Sequence, residues 1–315
     1  MRIIRTTQNC PESAQGAVVA LGNFDGVHLG HQAILRHTVE QAKAMGCKAA
    51  AMTFEPHPRE FFNRKKSAVS SSLRIYSLRQ KLALLRECGI DTLFLARFNS
   101  EFASLSAQDF IQTILHGSLK ARQVITGQNF AFGQDRQGNT ELLTSQAAAL
   151  GFGYTAMEPI VDGNAQIISS SAIRVALEQG DIKKASLMLG RNYAIGGHVR
   201  HGQKRGKELG FPTANLSLAG LFKPRYGVYA ARLKLGDTLY DAVANLGIKP
   251  TFSSTEPLLE THAFDMNKNL YGHYIEVQLG EFIRNQKKFD TLNALRSQIT
   301  ADARQARVLV KSMGS

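Results

Sequence analysis

In the first half of the chain, short apolar runs alternate with longer stretches whose apolar residues recur at helical spacing. Ala17–Leu21, Ala49–Phe54, Thr92–Ala96, Arg122–Thr126 and Gly153–Met157 are strand-sized. Between them the spacing predicts helices over Gly30–Met45, with Leu35, Val39 and Ala42 on one face, then Leu78–Glu87, Ala107–Leu115 and Leu142–Leu150. Gly89 and Gly151 supply stops for two of these helices. This is the βαβ rhythm of a parallel sheet with helices on both faces. In such sheets ligands sit beyond the carboxyl ends of the strands, which directs attention to the loops after Leu21, Phe54 and Thr126.

The pattern changes near residue 180. Ser170–Leu177 and Ile182–Leu189 read as two short helices around Gly180-Asp181. Beyond Tyr193 come alternating apolar–polar strands at Val228–Leu233, Tyr240–Leu246, Leu258–Phe264 and Tyr274–Leu279, separated by Gly- and Pro-rich turns. They predict a small antiparallel β-barrel. A terminal helix over Leu292–Val310 places Leu292, Leu295, Ile299, Ala303, Ala306 and Leu309 on one stripe that would pack on the barrel. The expected fold class is therefore α/β: a Rossmann-like domain with a parallel sheet over residues 1–182, then a small antiparallel barrel with a terminal helix over 183–315. A chain of 315 residues is too long for one ordinary core, which agrees with two domains.

Composition narrows the class. The chain is 43% hydrophobic and 20% charged, with no run approaching the roughly 20 apolar residues of a membrane helix and no signal-peptide stretch at the start, so a cytoplasmic protein is expected. Cys10, Cys47 and Cys88 form no CxxC pair and no metal-ligand spacing. Net charge is +13, which favours polyanionic partners. The basic residues are spread out, with short clusters only at Arg64–Lys66 and His198–Lys207, and phosphate-rich small ligands fit this better than nucleic acid. A nucleic-acid-binding protein stays open as an alternative, as does a weak homo-oligomer; no membrane partner is expected.

The first strand leads into Gly22–Gln32, GNFDGVHLGHQ. Gly22 and Gly26 permit a tight turn, and Asn23 and Asp25 can bond their own backbone within it. His28, Gly30 and His31 then open a helix as an HxGH motif. The free N–H groups of a helix start attract phosphate, and two histidines three apart share a face from which both can donate to phosphate oxygens. That is the equipment for nucleotidyl transfer, in which an acceptor phosphate attacks the α-phosphorus of ATP directly and the protein positions groups and stabilises charge. Thr53–Pro58, TFEPHP, reads as an extended turn stiffened by its prolines. In Gly127–Gly138, GQNFAFGQDRQG, Phe130 and Phe132 either wall a planar ring or belong to the core. Ile168–Arg174, ISSSAIR, offers serine caps and a basic residue, a second phosphate cradle or an ordinary capped helix.

In the second half, Gly202–Lys207 (GQKRGK) falls short of a P-loop, with three residues rather than four between its glycines and Glu208 in place of Ser/Thr. In Gly206–Asn215, GKELGFPTAN, Thr213 and Asn215 offer neutral oxygens suited to Mg²⁺ beside ATP phosphates, with Gly206 and Gly210 making room. Glu260 lies in an alternating strand, LLETH. It is either a surface glutamate or a base for a substrate hydroxyl.

Together these motifs resemble one family, the bifunctional bacterial riboflavin kinase/FMN adenylyltransferases. GNFDGVHLGHQ, TFEPHP, GQNFAFG and ISSSAIR are similar to its adenylyltransferase module; GKELGFPTANL, PRYGVYA, NLGIKPTF, LETHAFD and NLYG to its kinase module, in the family's order over nearly the whole chain. The resemblance implies two ATP- and Mg²⁺-dependent reactions, riboflavin to FMN in the C-terminal domain and FMN to FAD with release of pyrophosphate in the N-terminal domain. It implies ATP binding by Gly22, Phe24, His28, Gly30, His31, Ser170, Ser171 and Arg174, and flavin binding by Asn23, Asp25, His57 and Asn129. For the kinase it implies ATP binding by Gly202, Lys207, Gly210, Pro212 and Thr213, Mg²⁺ on Thr213 and Asn215, and Glu260 as the base. Asn129, Lys249, Asn269 and Gln286 depart from the family's more usual Asp, Arg, Asp and Glu.

Overall fold

The computed structural model describes residues 1–66, 72–201, 210–248 and 257–313. The chain forms two compact units. One holds the first part of the chain up to Ile168 except for Ser72–Ser77; that segment and everything from Ser169 onward make the other.

The first unit is built on six parallel strands: β1 (Arg2–Ile4), β2 (Val18–Leu21), β3 (Ala49–Glu55), β4 (Thr92–Arg97), β5 (Gln123–Gly127) and β6 (Gly153–Met157). They lie in the order β1-β4-β3-β2-β5-β6. Both faces of the sheet are covered, which is why its strands read as unbroken apolar runs. Val19, Leu21, Ala50 and Met52 point into one core with Phe94, Phe110 and Ile111, and Val18, Ala20, Ala49 and Ala51 into the other with Leu35, Leu85 and Leu93. The longer α-helices are α1 (Leu29–Ala44), α2 (Pro58–Lys66), α3 (Leu78–Glu87) and α4 (Thr140–Leu150). Asn139 caps α4 by accepting from Leu142 N, and Gly151 ends it in the left-handed conformation.

Two local expectations change. Residues Phe110–Ser118 form a π-helix rather than a plain α-helix. The prolines of TFEPHP do not prolong an extended turn: α2 starts at Pro58, where a proline loses nothing because a first-turn N–H has no helical partner.

The second unit begins with α5 (Ser170–Gln179) and α6 (Ile182–Leu189). Arg225 N donates to Leu177 O, and a Cβ on Gly180 would stand 3.1 Å from the Arg225 side chain, so α5 packs with the residues that follow. Six antiparallel strands come next: β7 (Ala194–His198), β8 (Ala214–Ser217), β9 (Gly227–Leu235), β10 (Thr238–Ile248), β11 (Pro257–Ala263) and β12 (Tyr274–Arg284). Their order is β7-β12-β9-β10-β11-β8. The two edge strands approach each other through an antiparallel bridge between Arg200 and Asn215, which nearly closes a barrel.

The terminal helix α7 (Leu292–Leu309) is capped by Thr291 and lays Ala306, with the following Val310, against Val228, Ala230, Val243 and Phe264. Leu292 does not join this stripe and is exposed, since α7 reaches the barrel only after its first turn. A bidentate Arg284–Asp302 pair, closest at 2.6 Å, ties α7 to β12, and Gln298 adds a third donor to the same carboxylate.

Candidate active sites

The winding of the first sheet fixes where a ligand would bind. From β2 the chain builds outward through β3 and β4 on one side, then returns to add β5 and β6 on the other. The crevice between the carboxyl ends of β2 and β5 is thus a topological switch point. The turn after Leu21 and the loop after Gly127 both open there.

The turn itself is tightly specified. Phe24 and Val27, both fully buried, take positive φ values of 47° and 41°, and Gly26 takes 83°. Such conformations cost about 1–3 kcal/mol for a non-glycine residue and persist only where the surroundings hold them. Phe24 lies beneath the turn: a Cβ on Gly22 would meet its ring at 3.1 Å, and its ring stands edge-on to His31 with centroids 5.4 Å apart. His28 caps α1, with Nδ1 accepting from His31 N at 3.4 Å. The two imidazoles stack at 3.7 Å between centroids. Gly30 has a reason in this stack, because a Cβ there would stand 3.2 Å from His28 Cε1 and Nδ1.

Lys81, which sequence reasoning passed over, supports the turn together with Thr53 and Glu55 of TFEPHP. Lys81 of α3, largely buried, reaches Glu55 Oε1 at 3.0 Å, Thr53 Oγ1 at 3.3 Å and the Asn23 carbonyl at 3.3 Å. Thr53 Oγ1 in turn donates to Asn23 O at 3.0 Å. The signal in the sequence is a lysine four residues before Leu85, on the face of α3 that the core takes. Asn23 Oδ1 is buried and has no hydrogen-bond partner among the described residues.

The remaining first-half residues are placed as follows. Asp25 is buried. His57, also buried, accepts from Arg59 N through Nδ1 and so helps start α2. Asn129 is exposed on the loop after β5. Phe132 stacks on Phe130 but is itself core, packed on Phe110, which resolves its two readings. Ser170, Ser171 and Arg174 belong to α5 in the second unit. The cap of α5 is Ser169, accepting from Ala172 N, and Arg174 Nε donates to Leu73 O at 2.7 Å.

In the barrel unit, Gly202 and Lys207 lie outside the described residues, as does Lys249. Gly210 is left-handed, and Pro212 and Thr213 lead into β8. Glu260 is directly opposite Asn215 on one side and Asn245 on the other. Cross-strand partners share a face with Cβ atoms about 4.5–5.5 Å apart, so Asn215, Glu260 and Asn245 form a polar row. The burial alternation of β11 puts Leu259 and Thr261 inside the barrel and Glu260 on its outer face. Asn215 nevertheless is buried, and its Nδ2 turns toward the Thr213 carbonyl at 3.4 Å. His262, two residues along from Glu260, is fixed by the Pro212 carbonyl at 2.9 Å. Asn269 Oδ1 accepts from Tyr271 N, a bond that an aspartate would make equally well.

The FAD synthetase family model matches residues 10–172, and the riboflavin kinase family model matches residues 189–310. The chain belongs to the bifunctional riboflavin kinase/FMN adenylyltransferase family. Relatives of that name include one from Haemophilus influenzae, 40% identical over 99% of this chain and 100% of its own length. Another, from Escherichia coli K12, is 38% identical over 98% of this chain and 97% of its own. A solved structure described as a macrolide-efflux protein from Streptococcus pneumoniae is 30% identical, with a TM-score of 0.83 over 98% of this chain and 99% of that one. As a member of this bifunctional family, the chain is a transferase of two activities, with the FMN adenylyltransferase first and the riboflavin kinase second. ATP, riboflavin, FMN and FAD are its substrates and products. Among the described residues no helix is long and apolar enough to cross a membrane.

Proposed function

We propose that the stacked His28–His31 pair at the start of α1 binds the ATP phosphates for adenylyl transfer, with Gly22, Phe24 and Gly30 shaping the turn around them. An FMN phosphate oxygen attacks the α-phosphorus of ATP, the bond to the β-phosphate oxygen breaks, and pyrophosphate leaves. The imidazoles donate to oxygens that gain negative charge in that transition state. Asn23, Asp25, His57 and Asn129 are assigned to the flavin side. The support is positional: the turn opens at the crevice where the sheet changes winding direction.

For the kinase we assign Glu260 as the general base that takes the proton from the riboflavin 5′-hydroxyl as its oxygen attacks the γ-phosphorus of ATP. The register supports this, since it sets Glu260 beside Asn215. Gly202, Lys207, Gly210, Pro212 and Thr213 are assigned to ATP. No described cluster of three or more His, Cys, Asp or Glu could cage a metal by itself. A few neutral oxygens fit Mg²⁺, which keeps several waters and substrate phosphates as ligands. Thr213 and Asn215 would hold it, and it would offset phosphate charge. On this reading Asn215→Ala raises the Mg²⁺ concentration for half-maximal riboflavin phosphorylation by about tenfold. An unchanged Mg²⁺ dependence would remove the assignment.

Residues 1–182 and 183–315 are taken as the two functional domains. We place the enzyme in the cytoplasm, with phosphate-bearing small molecules rather than nucleic acid or membrane accounting for its basic charge and with at most weak self-association. RNA binding at physiological salt would count against this.

A further inference from the structure

Lys81 carries no role in the chemistry described so far, yet it is one of the few buried cations among the described residues. Its ammonium has three protons, and three oxygens stand within reach: Glu55 Oε1 at 3.0 Å, Thr53 Oγ1 at 3.3 Å and Asn23 O at 3.3 Å. The last two lie at the carboxyl ends of adjacent strands, β3 and β2. Asn23 O accepts from both Lys81 and Thr53, so both of its lone pairs are used. The carbonyl held in this way is the last one before Phe24, where the backbone enters the first of its positive-φ residues on the way to His28. A buried ion pair is weak evidence for stability, since an apolar side chain of similar volume often serves as well. What an apolar side chain cannot do is hold the Asn23 carbonyl in a fixed place.

We propose that Lys81 is a positioning residue for adenylyl transfer: with Thr53 it fixes the Asn23 carbonyl and thereby the turn that presents His28 and His31. Glu55 compensates the charge and orients the ammonium. This inference rests on the reading of that turn as the ATP-phosphate site. Because the ammonium spends its protons on the protein, Lys81 acts through the turn and leaves substrate binding largely unchanged.

The test uses the full chain and follows FAD formation from FMN and Mg²⁺–ATP, with riboflavin phosphorylation measured on the same preparations. Lys81→Met lowers kcat for FAD formation by about 10²-fold, the scale of roughly an ångström of misplacement. KM for FMN and ATP stays within about threefold, and the kinase rate stays at the parent value. Thr53→Val acts in the same direction by about tenfold without touching the charge, and Thr53→Ser, which keeps the hydroxyl, restores the rate to within about threefold. If Lys81→Met does not fold, the Thr53 pair decides. His28→Ala, run alongside, separates the two readings. Loss of FAD formation in His28→Ala, with Lys81→Met and Thr53→Val both near the parent rate, overturns the role of Lys81 and leaves the site standing. Full activity in all three variants overturns the site as well. A raised KM with kcat unchanged, or a parallel loss of the kinase reaction, also overturns the positioning role.

Discussion

Gly30→Ala tests whether the stacked histidines are held where they need to be. Gly30 sits in the first turn of α1 and is not among the left-handed glycines, so alanine fits the backbone. By helix propensity alone the change would stabilise α1 by up to about 1 kcal/mol. The side chain is the difficulty. Its Cβ would stand 3.2 Å from His28 Cε1 and Nδ1, and 3.7 Å from the Ile168 carbonyl. Ordinary contact is about 3.5–4.0 Å, so the His28 ring must retreat by about 0.3–0.8 Å. On the scale where about 1 Å costs about 10²-fold, this predicts about a tenfold fall in FAD formation. Thermal unfolding should stay within about 1 kcal/mol of the parent, with the kinase rate unaltered. The assay is chromatographic separation of FMN and FAD after a timed reaction, beside a melting curve. FAD formation at the parental rate would refute the claim that the position of the His28 ring limits the reaction. A joint fall of both activities with a lowered melting temperature would show a general loss of folding instead.

Further outcomes follow from other parts of the molecule. Glu260→Gln keeps the size of the side chain and removes the base; it should slow FMN formation by about 10²–10⁴-fold while FAD formation from supplied FMN continues. Asp302→Ala strands Arg284, about a quarter exposed, without its carboxylate and should destabilise the barrel unit by about 3 kcal/mol, read as a lower urea midpoint for that unit. Burial raises the Cys10 thiol pKa, and the thiolate is the reactive form. Mild alkylation near neutral pH should therefore modify half-buried Cys47 and Cys88 before Cys10, as peptide mass mapping would show.

Much of this architecture is legible in the sequence because its signals are local. The strands of the parallel sheet are covered on both faces and so appear as plain apolar runs, and Gly151, Gly180 and Gly190 end their helices in the left-handed conformation. The HxGH turn announces itself through residue type and spacing. What escapes lacks a local signal. β7, AIGGH, carries two glycines and no alternation, and β8 has only four residues; both become strands because β12 and β11 offer them partners. β1 is three residues long and is defined by its pairing with β4. The polar row at Glu260 depends on register, since Asn215 and Asn245 lie on other strands, well away from it in sequence. Lys81 is hidden for a similar reason: the three oxygens around it come from the ends of two strands, which only the folded sheet brings together.

The account rests most heavily on two chemically separate sites in one chain. His28→Ala and Glu260→Ala, each given riboflavin with Mg²⁺–ATP and, separately, FMN with Mg²⁺–ATP, test that directly. The first should accumulate FMN with FAD formation slowed by about 10²–10³-fold. The second should convert supplied FMN to FAD while leaving riboflavin largely unphosphorylated. A folded variant of either kind that lost both reactions, or kept both, would contradict the assignment.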